Sequence, residues 1–234
     1  PAVSGKGAKT HYENVDIVIV RENTEGLYMG LEQYLTREKD IATSLAVITR
    51  KGSERIVEYA FQYARDNGRK KVTVCHKANI LKCSSGLFLE VAKEVAARYP
   101  DIQFEDKIVD AICMHMVMNP HQFDVIVTTN MFGDILSDLT AGLVGGLGLI
   151  AGANIGQDAA LFEAVHGSAP DIAGKNIANP VAVIMAGVMM LHHLGEHAAA
   201  EKIQAATEKV VAESTHVTPD LNPNSTAGTT QMAD

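Results

Sequence analysis

Apolar positions along this chain alternate between short β-branched runs and longer stretches with helical period. Val15-Asp16-Ile17-Val18-Ile19-Val20 is a run of the kind that forms a buried strand. Residues 26–48 alternate only loosely and contain Leu45-Ala46-Val47-Ile48, a pattern that fits a hairpin or an arm. Ser53 is placed to cap a helix whose apolar positions are Ile56, Val57, Ala60, Phe61 and Ala64, and Asn67-Gly68 is its stop signal. Lys71-Val72-Thr73-Val74-Cys75 predicts the next strand, and Leu87, Phe88, Val91, Val95 and Ala96 predict a helix closed off by Pro100. Phe123 to Thr128 predicts another strand, followed by a helix starting near Gly133. Strands alternating with helices of this length predict an α/β fold.

The texture changes after about residue 144. Gly-rich loops (Val144-Gly145-Gly146-Leu147-Gly148, then Gly152 and Gly156) lead to two helical stretches, 178–194 and 198–213, and to a Pro/Asn/Ser/Thr-rich tail over 215–230 that reads as loop. The expected organisation is therefore residues 1–143 as one domain, with the arm at about 26–48, and 144–234 as part of another. No internal repeat is visible.

Composition narrows the class. With 234 residues, 47% hydrophobic and 21% charged, the chain fits one large or two modest globular domains. Trp is absent and aromatics are 5%, so the core must be aliphatic. A formal charge of −8, with no basic stretch interleaved with aromatics, argues against nucleic acid as the main partner. No apolar run is long enough to span a bilayer; Ala178 to Leu191 reads as a core helix. Cys75, Cys83 and Cys113 are odd in number and lack C-x-x-C spacing, so they read as buried thiols in a reducing compartment, cytoplasm or mitochondrial matrix, and not as a disulfide frame or a zinc site. The chain opens on Pro1 without an initiator Met and stops inside a polar phrase at Asp234. It is expected to be part of a longer protein, and its lack of a targeting peptide carries no information.

The candidate chemistry sits where strands end. In Asn130-Met131-Phe132-Gly133-Asp134-Ile135-Leu136-Ser137-Asp138, a helix would stack Asp134 and Asp138 on one face, roughly 5–6 Å apart at Cβ. Like charges so placed cost about 0.2–0.5 kcal/mol on a solvated helix, and more if Ile135, Leu136, Leu139 and Leu143 bury the element. A hard divalent cation offsets that cost through oxygen ligands; two solvated aspartates at a capped helix start are the alternative. Arg21-Glu22-Asn23-Thr24-Glu25-Gly26-Leu27-Tyr28 follows a strand directly, giving Arg21 as a fork for a carboxylate and Tyr28 as a phenolic proton source. The alternative pairs Arg21 with Glu22 or Glu25. His76-Lys77 also follows a strand, and a Lys there can act as a base, or else be a solvated loop residue. Asp110 is a further carboxylate at a strand end. Glu163-Ala164-Val165-His166-Gly167-Ser168-Ala169-Pro170-Asp171-Ile172 is a dense turn phrase in which an acid near an adenosine ribose would accept from a 2′-hydroxyl and repel a 2′-phosphate; a helix-capping loop is the alternative. Ser4 to Thr10 fails the phosphate-loop spacing, Gly145 to Gly148 is no dinucleotide fingerprint, and His192, His193 and His197 read as amphipathic packing.

Together and in this order, these phrases resemble the β-decarboxylating dehydrogenases: isocitrate, homoisocitrate, 3-isopropylmalate and tartrate/D-malate dehydrogenases. The resemblance runs from about Tyr12 to about Asp220. It implies the two-domain fold of isopropylmalate and isocitrate dehydrogenases, with a mixed sheet flanked by helices and with part of the larger domain preceding Pro1. It further implies Arg21 as binder of a substrate carboxylate, Tyr28 as the acid that protonates the product carbon, and Lys77 as the base toward the C2 hydroxyl. Asp110, Asp134 and Asp138 correspond to Mg²⁺ or Mn²⁺ ligands. Lys77 and Asp110 would serve the neighbouring subunit's site, so a homodimer is implied. Glu163, His166, Gly167, Ser168, Ala169, Asp171, Ile172, Asn179 and Asp220 match positions around the cofactor. Related NADP-dependent enzymes tend to carry Lys and Tyr at Asp171 and Ile172, so NAD is the expected cofactor. The Arg21–Tyr28 phrase is similar to isocitrate and homoisocitrate enzymes, whereas isopropylmalate enzymes usually carry a Leu-Thr-Gly-Gly version. Non-catalytic regulatory relatives usually lose part of the Tyr–Lys–Asp set, and here all of it is present.

Overall fold

A computed structural model describes residues 1–4 and 10–234. Most of the rejected phosphate-loop stretch, Gly5 to Lys9, lies outside the described residues. By its internal contacts the chain divides into Asp16–Leu139 and a second unit made of Pro1–Val15 with Thr140–Asp234. The first fifteen residues thus group with the C-terminal stretch.

Within Asp16–Leu139, β2 (Asp16–Arg21), β7 (Val125–Thr128), β5 (Lys71–His76) and β6 (Gln103–Ile108) lie side by side in that order, all parallel; β1 (Ala2–Val3) belongs to the other unit. The β-branched runs explain why these segments are strands: β2 and β7 are nearly continuous Val and Ile, and β5 carries the β-branched Val72-Thr73-Val74, as a sheet covered on both faces requires. An antiparallel hairpin, β3 (Glu32–Tyr34) with β4 (Ala42–Ser44), realises the expected arm and exposes Tyr34, Leu35 and Ile41. Parallel sheet plus antiparallel hairpins make the mixed α/β class expected from the sequence.

The core of this unit is aliphatic; of the three cysteines it takes in Cys75, whereas Cys83 is exposed and Cys113 half-buried, which corrects the expectation of three buried thiols. Val18, Val20, Val72, Val74, Val125 and Val127 pack beneath α1 (Arg50–Asp66) and α2 (Ser84–Ala96), which contribute Val57, Phe61, Phe88, Val91 and Val95. Each such side chain stabilises by about 1.5–3 kcal/mol relative to exposure. The cap of α1 differs from expectation. The helix begins at Arg50 and Thr49 caps it, its Oγ1 accepting from Gly52 N at 2.9 Å, while Ser53 is buried in the first turn and donates to the Thr49 carbonyl. Thr49 wins because the buried Glu25 carboxylate accepts from both its N–H and its hydroxyl, at 3.0 and 2.8 Å.

In the second unit, the Gly-rich stretch forms an antiparallel pair, β8 (Ala151–Ile155) with β9 (Ala160–Ala164), that the sequence reading left as loop. Then come α5 (Val181–His193) and α6 (His197–Glu213), close to their expected bounds. The tail carries a short α7 (Thr229–Ala233) whose Met232 packs with Val181, Val211, Val217 and Leu221. Among the described residues, no helix is long and apolar enough to cross a membrane.

Candidate active site

Parallel register brings the candidate residues to one edge. Arg21 is opposite Thr128, Thr128 is opposite Cys75, and His76 is opposite Ile108. Arg21 therefore ends β2 about two strand spacings, roughly 10 Å, from the point where β5 gives way to Lys77. Asp110 follows in the first turn of α3 (Val109–Met118). The carboxyl edge of a parallel sheet is where ligands bind in open α/β folds.

Helix α4 (Asn130–Leu143) starts at Asn130, three residues earlier than expected. Its first turn meets Arg21. Arg21 donates from Nε and Nη2 to Asn130 Oδ1, at 3.0 and 2.8 Å, and from Nη1 to Asp134 Oδ1 at 2.5 Å. Tyr28 Oη donates to the other oxygen of Asp134 at 2.7 Å, and the guanidinium lies 5.1 Å from the Tyr28 ring centre. The hydrogen bond to Asp134 raises the phenol above its ordinary pKa, and the same bond, with Arg21, holds Asp134 below the usual carboxylate value. Arg21 does not pair with Glu22 or Glu25. The buried Glu22 carboxylate instead accepts from Thr24 N and Glu25 N, both at 2.9 Å, and from Arg55 at 2.7 Å. These bonds fix the loop between Arg21 and Tyr28.

The Lys77 corner is simpler. Lys77 Nζ donates to Asp110 and holds that carboxylate below its usual pKa. His76 supports the turn: Nδ1 accepts from Ala78 N at 3.0 Å, which leaves Nε2 to donate to Asp106 at 3.1 Å. Asp138 lies exposed one helical turn beyond Asp134. The expectation of a mostly buried element is corrected on this face, since Ile135 is half exposed while Leu136 is fully buried. The two aspartates therefore face water, and the Arg21 charge offsets part of their repulsion.

Two exposed carboxylates, one of them held anionic, are an oxygen-only donor set of the kind that suits Mg²⁺ or Mn²⁺ together with substrate oxygens. Among the described residues, one chain brings no three potential ligands together, and Asp110 stands with Lys77 instead.

The second unit holds the residues expected around the cofactor. Glu163 lies on β9 and accepts from Asn154 at 2.8 Å. His166 to Asp171 form an exposed loop in which the His166 ring meets the Gly167 carbonyl at 2.9 Å. Ser168 and a left-handed Ala169 (φ 43°) lead into the turn Pro170–Ile172. A Cβ placed on Gly167 would touch nothing within 4 Å, so packing does not require glycine there. Asn179 Oδ1 accepts from Val181 N at 3.0 Å and its Nδ2 donates to Asp220 at 2.9 Å. The structure thus pairs Asn179 with Asp220 and leaves Asp171 free-standing in the loop. His192 and His197 meet through their Nδ1 atoms at 3.1 Å.

The sequence reading missed Asn130, Glu22, Glu25 and His76 as parts of this site. Their signal was weak: each is a polar residue in a strand-end phrase, and their partners lie up to 109 residues away.

Residues 3–234 match the family described as isocitrate/isopropylmalate dehydrogenase. Over 94% of its length the chain is 51% identical to a probable isocitrate dehydrogenase [NAD] subunit alpha, mitochondrial, of Drosophila melanogaster, and it spans 58% of that protein. It is 55% identical to a 3-isopropylmalate dehydrogenase of Archaeoglobus fulgidus over 96% of its length, spanning 68% of that relative. Among solved structures, an isocitrate dehydrogenase from Methylococcus capsulatus is 64% identical with a TM-score of 0.97, covering the whole of this chain and 69% of its own.

Proposed function

The chain belongs to the isocitrate/isopropylmalate dehydrogenase family, and on that premise we propose that the protein carrying it oxidatively decarboxylates isocitrate to 2-oxoglutarate and CO2 with NAD. The observation that carries this reading is the Arg21–Asp134–Tyr28 cluster: a fixed guanidinium fork beside a phenol that keeps its proton. Arg21 uses three of its five N–H groups within the chain and has two left for a substrate carboxylate. Asp134 and Asp138, with Asp110 from a second copy, would hold the divalent cation. Such an ion, when bound, lowers the pKa of a coordinated hydroxyl and draws charge from neighbouring oxygens. The His166–Ile172 loop with Asn179 and Asp220 would hold NAD⁺, which would supply the hydride acceptor. Lys77 would first release its ammonium proton to water and then accept the hydroxyl proton on the free amine. After CO2 has left, Tyr28 Oη gives its proton to the carbon.

Lys77 and Asp110 complete the Arg21 corner of a second copy in this reading, which makes a homodimer the active form. Exposed Met114, Val117 and Met118 on α3 support such an association. A 3-isopropylmalate substrate is the second reading, favoured by the 55% identity to the Archaeoglobus fulgidus relative; homoisocitrate shares the same chemistry. Kinetics of the full-length protein with isocitrate, homoisocitrate and 3-isopropylmalate, each with NAD⁺ and NADP⁺, decide among them. The proposal expects isocitrate with NAD⁺ to give the highest kcat/KM, and a higher value for another acid would replace it.

A further inference from the structure

We propose that Asn130 and Gly133 form a cradle that positions Arg21, so that the start of α4 sets the orientation of the substrate-binding fork. The inference rests on the reading of Arg21 as the carboxylate binder.

Asn130 is 2% exposed and uses both ends of its amide. Oδ1 takes two N–H groups of Arg21, and Nδ2 donates to the Glu25 carbonyl at 3.0 Å. The same residue therefore fixes the arginine and the loop that leads to Tyr28. Gly133 makes room for the arginine stem: a Cβ there would lie 2.5 Å from Arg21 Cγ and 2.7 Å from its Cβ. Those atoms are near the backbone and cannot swing aside as a side-chain tip can. A glycine inside a helix is disfavoured by about 0.5–1 kcal/mol against alanine, so its presence at a buried helical position calls for a steric reason, and Arg21 supplies it. At Gly26, with φ 84°, an added Cβ would lie 3.4 Å from the Asn130 Cβ, so the loop also passes beside Asn130. Stem, head and loop are thus held from α4, and the two remaining guanidinium N–H groups are aimed without a search through rotamers. Neither Asn130 nor Gly133 needs to touch substrate; they act through Arg21.

The test uses the full-length protein. Asn130→Ala should raise KM for the hydroxy acid about tenfold while kcat changes less than about threefold. Arg21→Lys should raise KM as well, and adding Asn130→Ala to it should cost nothing more, because the residue acted upon is already gone. Gly133→Ala, a better helix former, should raise KM in the same way. Independently of activity, the Nε–H of Arg21 should exchange with water at least about tenfold faster in Asn130→Ala than in the wild type, and stay protected in Asn130→Asp, which keeps the acceptor. Additive losses in the double variant, or an Arg21 Nε–H unaffected by Asn130→Ala, overturn the cradle. Should Asn130→Ala fail to fold, Gly133→Ala carries the same two readouts, with a raised KM and a faster-exchanging Arg21 Nε–H expected. A wild type that turns over none of the three acids removes the carboxylate-binding role of Arg21, and the exchange measurement still decides the cradle.

Discussion

Arg21 and Lys77 leave the same edge of one sheet, yet their surroundings are opposite. Arg21 is gripped by Asn130 and Asp134, with its stem against Gly133 and a loop braced by two buried glutamates. Lys77 has one ion pair, to an exposed aspartate, at the end of a flexible stem. The difference matches what the two groups are proposed to do. A group that binds gains from a fixed fork, because orientation is settled before the ligand arrives. A group that moves a proton must part from its counterion, and a single exposed pair lets it do so.

Four substitutions would break or sharpen this contrast. The largest effect is expected from Lys77→Met, which should lower kcat by about 10²–10⁴-fold, the range of a general acid–base group. Its melting temperature should stay within a few degrees of wild type; near-normal turnover would remove Lys77 from the mechanism. Arg21→Lys should raise KM by about 10–100-fold, because an ammonium cannot reproduce a bidentate fork; unchanged steady-state kinetics would contradict the binding role. Gly52→Ala tests the bracing. Its new Cβ would lie 2.7 Å from the Glu25 carboxylate, and overpacking of that kind costs about 1–3 kcal/mol in denaturant melts. The smallest effect is a titration. Asp134 and Asp110 both ionise below the ordinary aspartate value of 3.8, Asp134 chiefly through Tyr28 and Asp110 chiefly through Lys77. Each lowered folded-state pKa contributes stability that is complete above about 3.8 and is lost as pH falls through the folded value. By carboxyl NMR, Tyr28→Phe should move the Asp134 midpoint up and leave Asp110 alone, and Lys77→Met should do the reverse. A shift of both in either variant would mean the corners are coupled.

Three strands of the parallel sheet were legible because β-branched runs such as Val18 to Val20 and Val72 to Val74 fit nothing better than a covered sheet, whereas Gln103–Ile108, mostly polar, has no such run. The start of α1 was misplaced because the residue that chooses Thr49 over Ser53 is Glu25, 24 positions earlier. The β8–β9 pair hid among glycines, and α7 hid in a polar tail whose few apolar residues, Val217, Leu221 and Met232, join the core too far apart to show a period. In the candidate site, Arg21, Tyr28 and Asp134 were legible as chemistry carried by a resemblance. Their mutual hydrogen bonds, and the part played by Asn130, depend on register between strands far apart in sequence, which no local pattern encodes.

β7 is only four residues long and lies between β2 and β5, with Val125 and Val127 in the core and Thr128 Oγ1 bonded to the Cys75 carbonyl at 3.1 Å. A slip by one position would turn both valines away from α1 and carry the attached Asn130 off its arginine. Stability and competence would be lost in the same event, so this strand acts as a proofreader: a mispaired molecule cannot persist as a well-folded but inert decoy.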